Sequence, residues 1–289
     1  MSKTRSAGLW MIGAVICFSS MAIAGRLATV ELDTFEVMTY RSFVGIALVL
    51  ICAGFAGTLN QISTCDLGLH LGRNICHFTG QNLWFAALSL VPLAQLFALE
   101  FTSPLWVMVL AVVFLGEKLT RRQIALTLLA FAGVLIVARP GAGLSVGVIF
   151  AALSAIGFAG SIILTKRLTH NHSITSILFW LTIMQAILGL LCCWIDGAMA
   201  WPSLATWPSV VLIGVAGLGA HFCLTTALSL APATRVIPID FIRLPLIAVI
   251  GMALYGEPID GWVFLGGALI FLANYLNLLR PGAKTEAEK

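Results

Sequence analysis

Apolar runs of about 20 residues, each closed by a charge, a proline or a glycine, recur ten times along the chain. They lie near 7–25, 35–55, 71–90, 93–115, 122–138, 145–165, 173–195, 209–230, 233–255 and 261–279. A helix of about 20 residues rises about 30 Å, the thickness of a bilayer's hydrocarbon layer, so the pattern predicts ten transmembrane helices. The connections are short: helices 3 and 4 meet at Val91-Pro92, and helices 8 and 9 at Ala231-Pro232. The stretch after Arg280, PGAKTEAEK, reads as a solvated tail. The first run follows Lys3 and Arg5 and ends in Ala22-Ile23-Ala24, as a cleavable leader does. Its length suits a full span, so it is expected to stay as helix 1.

The chain also repeats itself. Residues 87–118 lie over 227–258 without a gap, an offset of 140. Ala87/Ala227, Leu88/Leu228, Ser89/Ser229, Leu90/Leu230, Pro92/Pro232, Phe101/Phe241, Val109/Val249, Gly116/Gly256 and Glu117/Glu257 are identical pairs. Apolar stretches share Leu, Val and Ala by chance, but not an ordered series of Ser, Pro and Gly-Glu landmarks. Lys166-Arg167-Leu168 is expected to answer Gly25-Arg26-Leu27 at the ends of helices 6 and 1. Each half holds five spans, an odd number, so the second half enters the membrane from the opposite face. The expected fold is an all-α polytopic membrane protein of two inverted five-helix repeats, 1–140 and 141–281, with 282–289 as the tail.

Composition agrees. The 289 residues are 60% hydrophobic and 10% charged, against about 25% charged in soluble domains, so a water-covered surface is excluded. Basic residues set the orientation. With the N-terminus inside, Lys3, Arg5, Arg73, Lys118, Arg121, Arg122, Lys166, Arg167, Arg280, Lys284 and Lys289 fall on the cytoplasmic side. Arg26 and Arg139 fall outside, with Glu31, Asp33, Glu36, Asp196, Glu257 and Asp260. Both termini are expected in the cytoplasm and the protein in the inner membrane, against lipid. The net charge of +4 comes without a basic run carrying interleaved aromatics, so nucleic acid is not an expected partner. The seven cysteines show no C-x-x-C and read as apolar filler. His170 and His172 lack neighbouring ligands for a metal and read as solvated loop residues; no cofactor is expected.

Polar residues inside the spans mark where chemistry sits, because charge in hydrocarbon is costly. Arg73, His77, Gln81 and Trp84 recur at four, four and three, and so share one face of helix 3. The repeat places Gln81 over His221, Gln95 over Arg235, Glu100 over Asp240 and Ser103 over Arg243. Glu100 and Asp240 each lie eight residues beyond the loop proline, roughly 12 Å into the membrane. Asp240 and Arg243, three apart, are expected to pair. Glu100 needs a cation from another helix or from a substrate, and Arg41 is a candidate. Arg41, Arg73, His77, Gln81, Trp84, Glu100, Phe101, Ser103, His221, Arg235, Asp240 and Arg243 are the candidates for a central cavity. His77 and His221 are also candidates for proton coupling. The Gly-Glu pairs are expected to end helices 4 and 9, each carboxylate near the next helix's N-terminus; a gating contact is the alternative.

On FEVMTYR at 35–41, residues 87–123, GVLIVARP at 133–140, ALSLAPATRVIP at 227–238 and LYGEPIDG at 254–261, the chain resembles the drug/metabolite transporter superfamily. The likeness is to its ten-helix EamA-type members. The resemblance implies a central cavity lined largely by helices 3, 4, 8 and 9, and alternating access. Its motif residues fall on Arg41, Pro104, Gly116, Glu117, Gly256 and Glu257. The equivalent of Pro104 is Leu244, with Pro245 following, so either the break in helix 9 is displaced or the strict pairing slips by one. FEVMTYR and the arginine in helix 3 are most similar to the S-adenosylmethionine uptake branch; riboflavin and amino-acid derivatives are the other cargoes the likeness implies. A buried carboxylate suits a cationic centre, Arg41 or Arg243 a carboxylate, and Trp84 or Phe101 a flat ring. A passive channel would show a continuous polar stripe across several helices. No nucleophile elbow, H-E-x-x-H or phosphate loop speaks for an enzyme. The expected partner is a small-molecule substrate, with a coupled ion or proton.

Overall fold

The structure, a computed structural model, describes residues 3–103, 105–107, 109–110, 120–138, 145–197, 199–231, 237–258 and 260–278. These form an all-helical protein: α1 (Lys3–Ala28), α2 (Thr34–Ala56), α3 (Leu67–Leu88), α4 (Leu93–Glu100), α5 (Arg121–Ala138), α6 (Val146–Leu168), α7 (Ile174–Asp196), α8 (Trp207–Leu230), α9 (Arg243–Tyr255) and α10 (Gly261–Leu278). Helices α1, α2, α6, α7 and α8 are long and apolar enough to cross a membrane. Helix α3 has 22 residues, but its polar face lowers its hydropathy. Pro104, Gly116, Glu117 and Arg235 lie outside the described residues.

The offset of 140 runs through the caps as well as the motifs. Asp33 opens α2 with a capping box to Glu36, and Ser173 opens α7 by accepting from the Ser176 N–H. Both helices run 23 residues and end on glycines in the left-handed region, Gly57 at φ 66° and Gly197 at φ 75°. That conformation is open to glycine at no steric cost, which is why each helix stops there. Helices α5 and α10 both have 18 residues, at the same spacing.

Packing repeats the symmetry. Helix α1 lies against α8 and α3 against α6; α2 meets α7, α4 meets α9, and α5 meets α10. Exchanging the two halves maps this set of neighbours onto itself, as a twofold between inverted repeats requires. Small residues set the approach distance where apolar burial against lipid gives little discrimination. A Cβ on Gly157 of α6 would lie 2.7 Å from Gly80 Cα and 2.8 Å from Cys76 O of α3. At the equivalent α1–α8 crossing, the nearest atoms to such a Cβ on Gly13 and Gly219 are the cysteine sulfurs of Cys223 and Cys17, at 3.0 and 3.2 Å.

Four expectations are revised. The span at 93–115 is not continuous: α4 ends at Glu100, Phe101 and Thr102 form a turn, and helix resumes at Ser103. The span at 233–255 is a 3-10 helix, Ile237–Ile242, that passes into α9 at Arg243. These changes fall at equivalent positions, 102 and 242, so Pro245 does not displace the break. The pair ending helices 1 and 6 is Arg26 and Lys166, not Arg26 and Arg167. Arg26 donates Nε to Leu88 O at 2.9 Å and Lys166 donates Nζ to Leu228 O at 2.7 Å, each cation capping the C-terminus of a neighbouring helix.

The third revision concerns Glu257. It does not cap the next helix, α10, whose first turn is served by Asp260 Oδ1 accepting from the Trp262 N–H. Gly256, at φ 63°, turns the chain so that the carboxylate reaches α4: Oε2 accepts from the Leu93 N–H at 2.9 Å, and Oε1 pairs with Arg26. The fourth concerns His172, which is not solvated. Its Nε2 meets Asp66 Oδ2 at 2.9 Å, with the side chain 3% exposed, because the α6–α7 connection folds onto the start of α3.

Candidate functional site

A cavity of about 880 Å³, its mouth included, lies between α1, α3, α4, α6, α8 and the start of α9. Two features of the sequence make it. The breaks after Thr102 and Ile242 bring the starts of two helical segments, at Ser103 and Arg243, to the cavity wall. Helix α3 turns its polar face inward.

At one end stands a triad. Arg243, 2% exposed, donates from one Nη2 to Glu100 Oε1 at 2.7 Å and to Asp240 Oδ2 at 2.6 Å. The other oxygen of Glu100 accepts from the Trp84 indole N–H at 2.7 Å. The guanidinium carbon sits 4.7, 4.9 and 5.5 Å from the ring centres of Phe97, Phe18 and Phe101. Aromatic faces and two carboxylates thus hold one cation, with attraction from both sources in a dry site. One guanidinium cannot balance two carboxylates: the formal charge here is −1, and Asp240 Oδ1 and Arg243 Nε have no hydrogen-bond partner.

The opposite end is positive. Arg73, 2% exposed, donates Nε to Thr165 Oγ1 at 3.0 Å and Nη1 to Asn74 Oδ1 at 3.2 Å. It forms no ion pair among the described residues. It stands eleven positions before Trp84 on α3, about 16 Å along the axis. Between the ends, His77 and His221 meet edge to face, ring centres 4.6 Å apart. The Nε2 of both, and that of Gln81, are buried without a partner.

Ten of the predicted residues line this one cavity: Arg73, His77, Gln81, Trp84, Glu100, Phe101, Ser103, His221, Asp240 and Arg243. Asp240 pairs with Arg243 as expected, but the cation opposite Glu100 is Arg243 rather than Arg41. Arg41 lines a smaller cavity, about 260 Å³, that shares His221 with the first. Helices α1 and α6 add a wall that sequence reasoning missed, with Phe18, Met21, Phe158, Ser161 and Thr165. The signal was present: Phe18 and Phe158 are identical at the offset of 140, and Ser161 and Thr165 are one turn apart.

Ten helices in two inverted repeats, around a largely apolar central cavity with charged groups at its ends, define a polytopic solute transporter of the drug/metabolite transporter superfamily. The profile of the EamA-like transporter family matches residues 5–139 and again residues 145–279, and the chain belongs to that family. A riboflavin transporter of Rhizobium johnstonii is 30% identical, over 94% of this chain and 91% of its own. An S-adenosylmethionine uptake transporter of Rickettsia bellii is 26% identical, over 99% and 98%. A pseudopaline exporter of Pseudomonas aeruginosa is 27% identical, over 93% and 94%. A protein of known crystal structure, 19% identical, shares the fold with a TM-score of 0.68 over 94% of this chain and 96% of the other.

Proposed function

We propose that the protein is an alternating-access carrier of a small zwitterionic metabolite with a flat ring, and that S-adenosylmethionine is the first cargo to test. One observation carries this reading: the cavity separates charge along its length. The carboxylate excess of Glu100 and Asp240 answers a cationic centre, Arg73 answers an acidic group, and Trp84, Phe18, Phe101 and Phe158 offer ring faces between them. A sulfonium-bearing amino acid joined to a purine presents all three features. A flavin has no cation to meet the excess carboxylate, which ranks riboflavin second despite the Rhizobium relative's name. Exchange of roles between inverted repeats supplies the two access states. The excess of basic residues on one face supports an inner-membrane protein with both termini in the cytoplasm. The unbalanced carboxylate is also the place for a coupled proton, which a cationic cargo displaces on binding.

Purified protein in proteoliposomes is expected to show saturable counterflow of S-adenosylmethionine. Glu100→Gln and Asp240→Asn should each lower it by roughly tenfold or more, the loss of one charge-assisted contact. Unchanged counterflow in both variants defeats the assignment. Saturable riboflavin flux with none of S-adenosylmethionine transfers it to the flavin.

A further inference from the structure

Positive charge is buried around the two histidines, and no carboxylate among the described residues pairs with it. Arg41 is 7% exposed and Arg73 is 2% exposed, and neither pairs with a carboxylate among the described residues. The hydrogen bond of Arg41 to another side chain goes from Nη1 to Met38 Sδ at 3.7 Å, a weak acceptor. Its Nη2 rests over Gly217, where a Cβ would stand only 3.2 Å away, so α8 leaves the guanidinium its room by lacking a side chain. Beside it His221 opens onto both cavities, and its ring meets that of His77. Arg73 lines the main cavity with both rings, and Arg41 lines the smaller one with His221. Arg243 is not part of this group: its charge is already shared by Glu100 and Asp240.

Two buried guanidiniums with no carboxylate partner among the described residues are costly groups for a membrane protein to keep. Their polar surroundings do not lower the cost by charge: Thr165 and Asn74 are neutral. Gln81 Nε2, aimed into the same space, is a further buried donor without an acceptor. We propose that Arg41, Arg73, His77 and His221 form a station for a small monovalent anion, reaching from the main cavity past His221 to Arg41. A guanidinium fork matches a carboxylate in shape as well as charge. Two sources share this chemistry. One is the cargo's own carboxylate, which rests on the zwitterion reading above; the other is chloride from solution, which does not.

The test uses the full-length protein in lipid nanodiscs, in chloride and in gluconate buffers. Binding of S-adenosylmethionine is compared with binding of its decarboxylated analogue, and the melting temperature is followed as chloride or acetate is added. Wild type is expected to prefer the carboxylate-bearing ligand by at least about tenfold. Arg41→Gln should reduce that preference to near unity, whereas Arg41→Lys, which keeps the charge, retains part of it and controls for folding. Stabilisation of wild type by chloride, lost in Arg41→Gln, assigns the station to the free ion. If neither ligand binds but acetate or chloride still stabilises in an Arg41-dependent way, the cargo reading fails and the station stands. Equal binding of both ligands, with no anion stabilising the wild type, overturns the station and the acidic-group half of the cargo reading, and leaves standing only the cationic contact with Glu100 and Asp240. Silence in every arm overturns both.

Discussion

Replacing Arg243 by leucine tests whether the triad is balanced by charge or merely filled by shape. The guanidinium makes two charge-assisted hydrogen bonds, 2.7 and 2.6 Å long, and faces three aromatic rings within 5.5 Å. Leucine covers part of the apolar contact but leaves Glu100 and Asp240 side by side, taking the formal charge from −1 to −2. Breaking a buried pair in this way costs about 3–5 kcal/mol, mostly from the stranded charge. On the scaling for chains of this size, the melting temperature should fall by roughly 10 °C in nanodiscs. Adding Glu100→Gln and Asp240→Asn brings the formal charge to zero. The triple variant should therefore regain at least half of the loss, while losing cargo binding because the carboxylates of Glu100 and Asp240 are gone. Thermal unfolding followed by tryptophan fluorescence reads all three proteins. A triple variant no more stable than Arg243→Leu alone would show that electrostatics does not govern the site.

Other outcomes follow from packing and from the loops. Gly157→Ala should destabilise by about 1–3 kcal/mol, because its new methyl meets the backbone of Gly80 and Cys76, whereas Gly219→Ala meets the Cys17 sulfur and should cost less; equal melting temperatures would contradict this. Glu257→Gln should weaken the clasp between α4 and Arg26 and speed hydrogen exchange at the start of α4; unchanged exchange at Leu93 would rule the clasp out. In the loop before α2, hydrogen bonds from Thr206 and Ser203 hold Glu31 below its usual pKa of 4.5. A depressed acid contributes stability that is present above the ordinary value and lost as pH falls through the lower one, so acidification from about pH 5 downward should free residues 199–206. Asp33 is pushed the other way by burial, and Glu31→Gln isolates the effect by removing it.

The frame was legible because a bilayer forbids unpaired backbone and so forces helix length, caps and breaks to leave marks in sequence. Ser, Pro and Gly-Glu at one spacing were enough to set the inverted halves, and the four-four-three spacing on α3 placed Arg73, His77, Gln81 and Trp84 on one wall. Partners across helices were less legible. For Glu100 a cation from another helix was expected, with Arg41 as a candidate, but Arg243 of the other repeat holds it, where no spacing rule applies. Glu257 was expected on its own next helix, yet the left-handed turn at Gly256 sent it to α4. The wall from α1 and α6 was hidden because Phe18, Met21 and Phe158 look like any apolar residue facing lipid. The offset of 140 distinguishes Phe18 and Phe158, which it pairs, but not Met21, whose equivalent is Ser161.

A symmetric frame with unlike contacts makes a sharper demand on the triad. Glu100 and Asp240 are twofold equivalents, so a guanidinium placed on either half should reach both. Ser103, buried and donating to Glu100 O at 2.5 Å, occupies in the first half the place of Arg243 in the second. Arg243→Ser should destabilise much as Arg243→Leu does. Adding Ser103→Arg should restore at least half of the loss, because the new arginine follows Glu100 by three residues as Arg243 follows Asp240. The aromatic cage will not be fully rebuilt: Phe18 has its equivalent in Phe158, but the ring at the Phe97 equivalent is replaced by residue 237, an isoleucine. Stability should therefore recover further than transport, since the cargo meets the arginine from the wrong half. A double variant less stable than Arg243→Ser would mean that the two halves no longer share geometry at mid-membrane, and the twofold would then describe the frame alone.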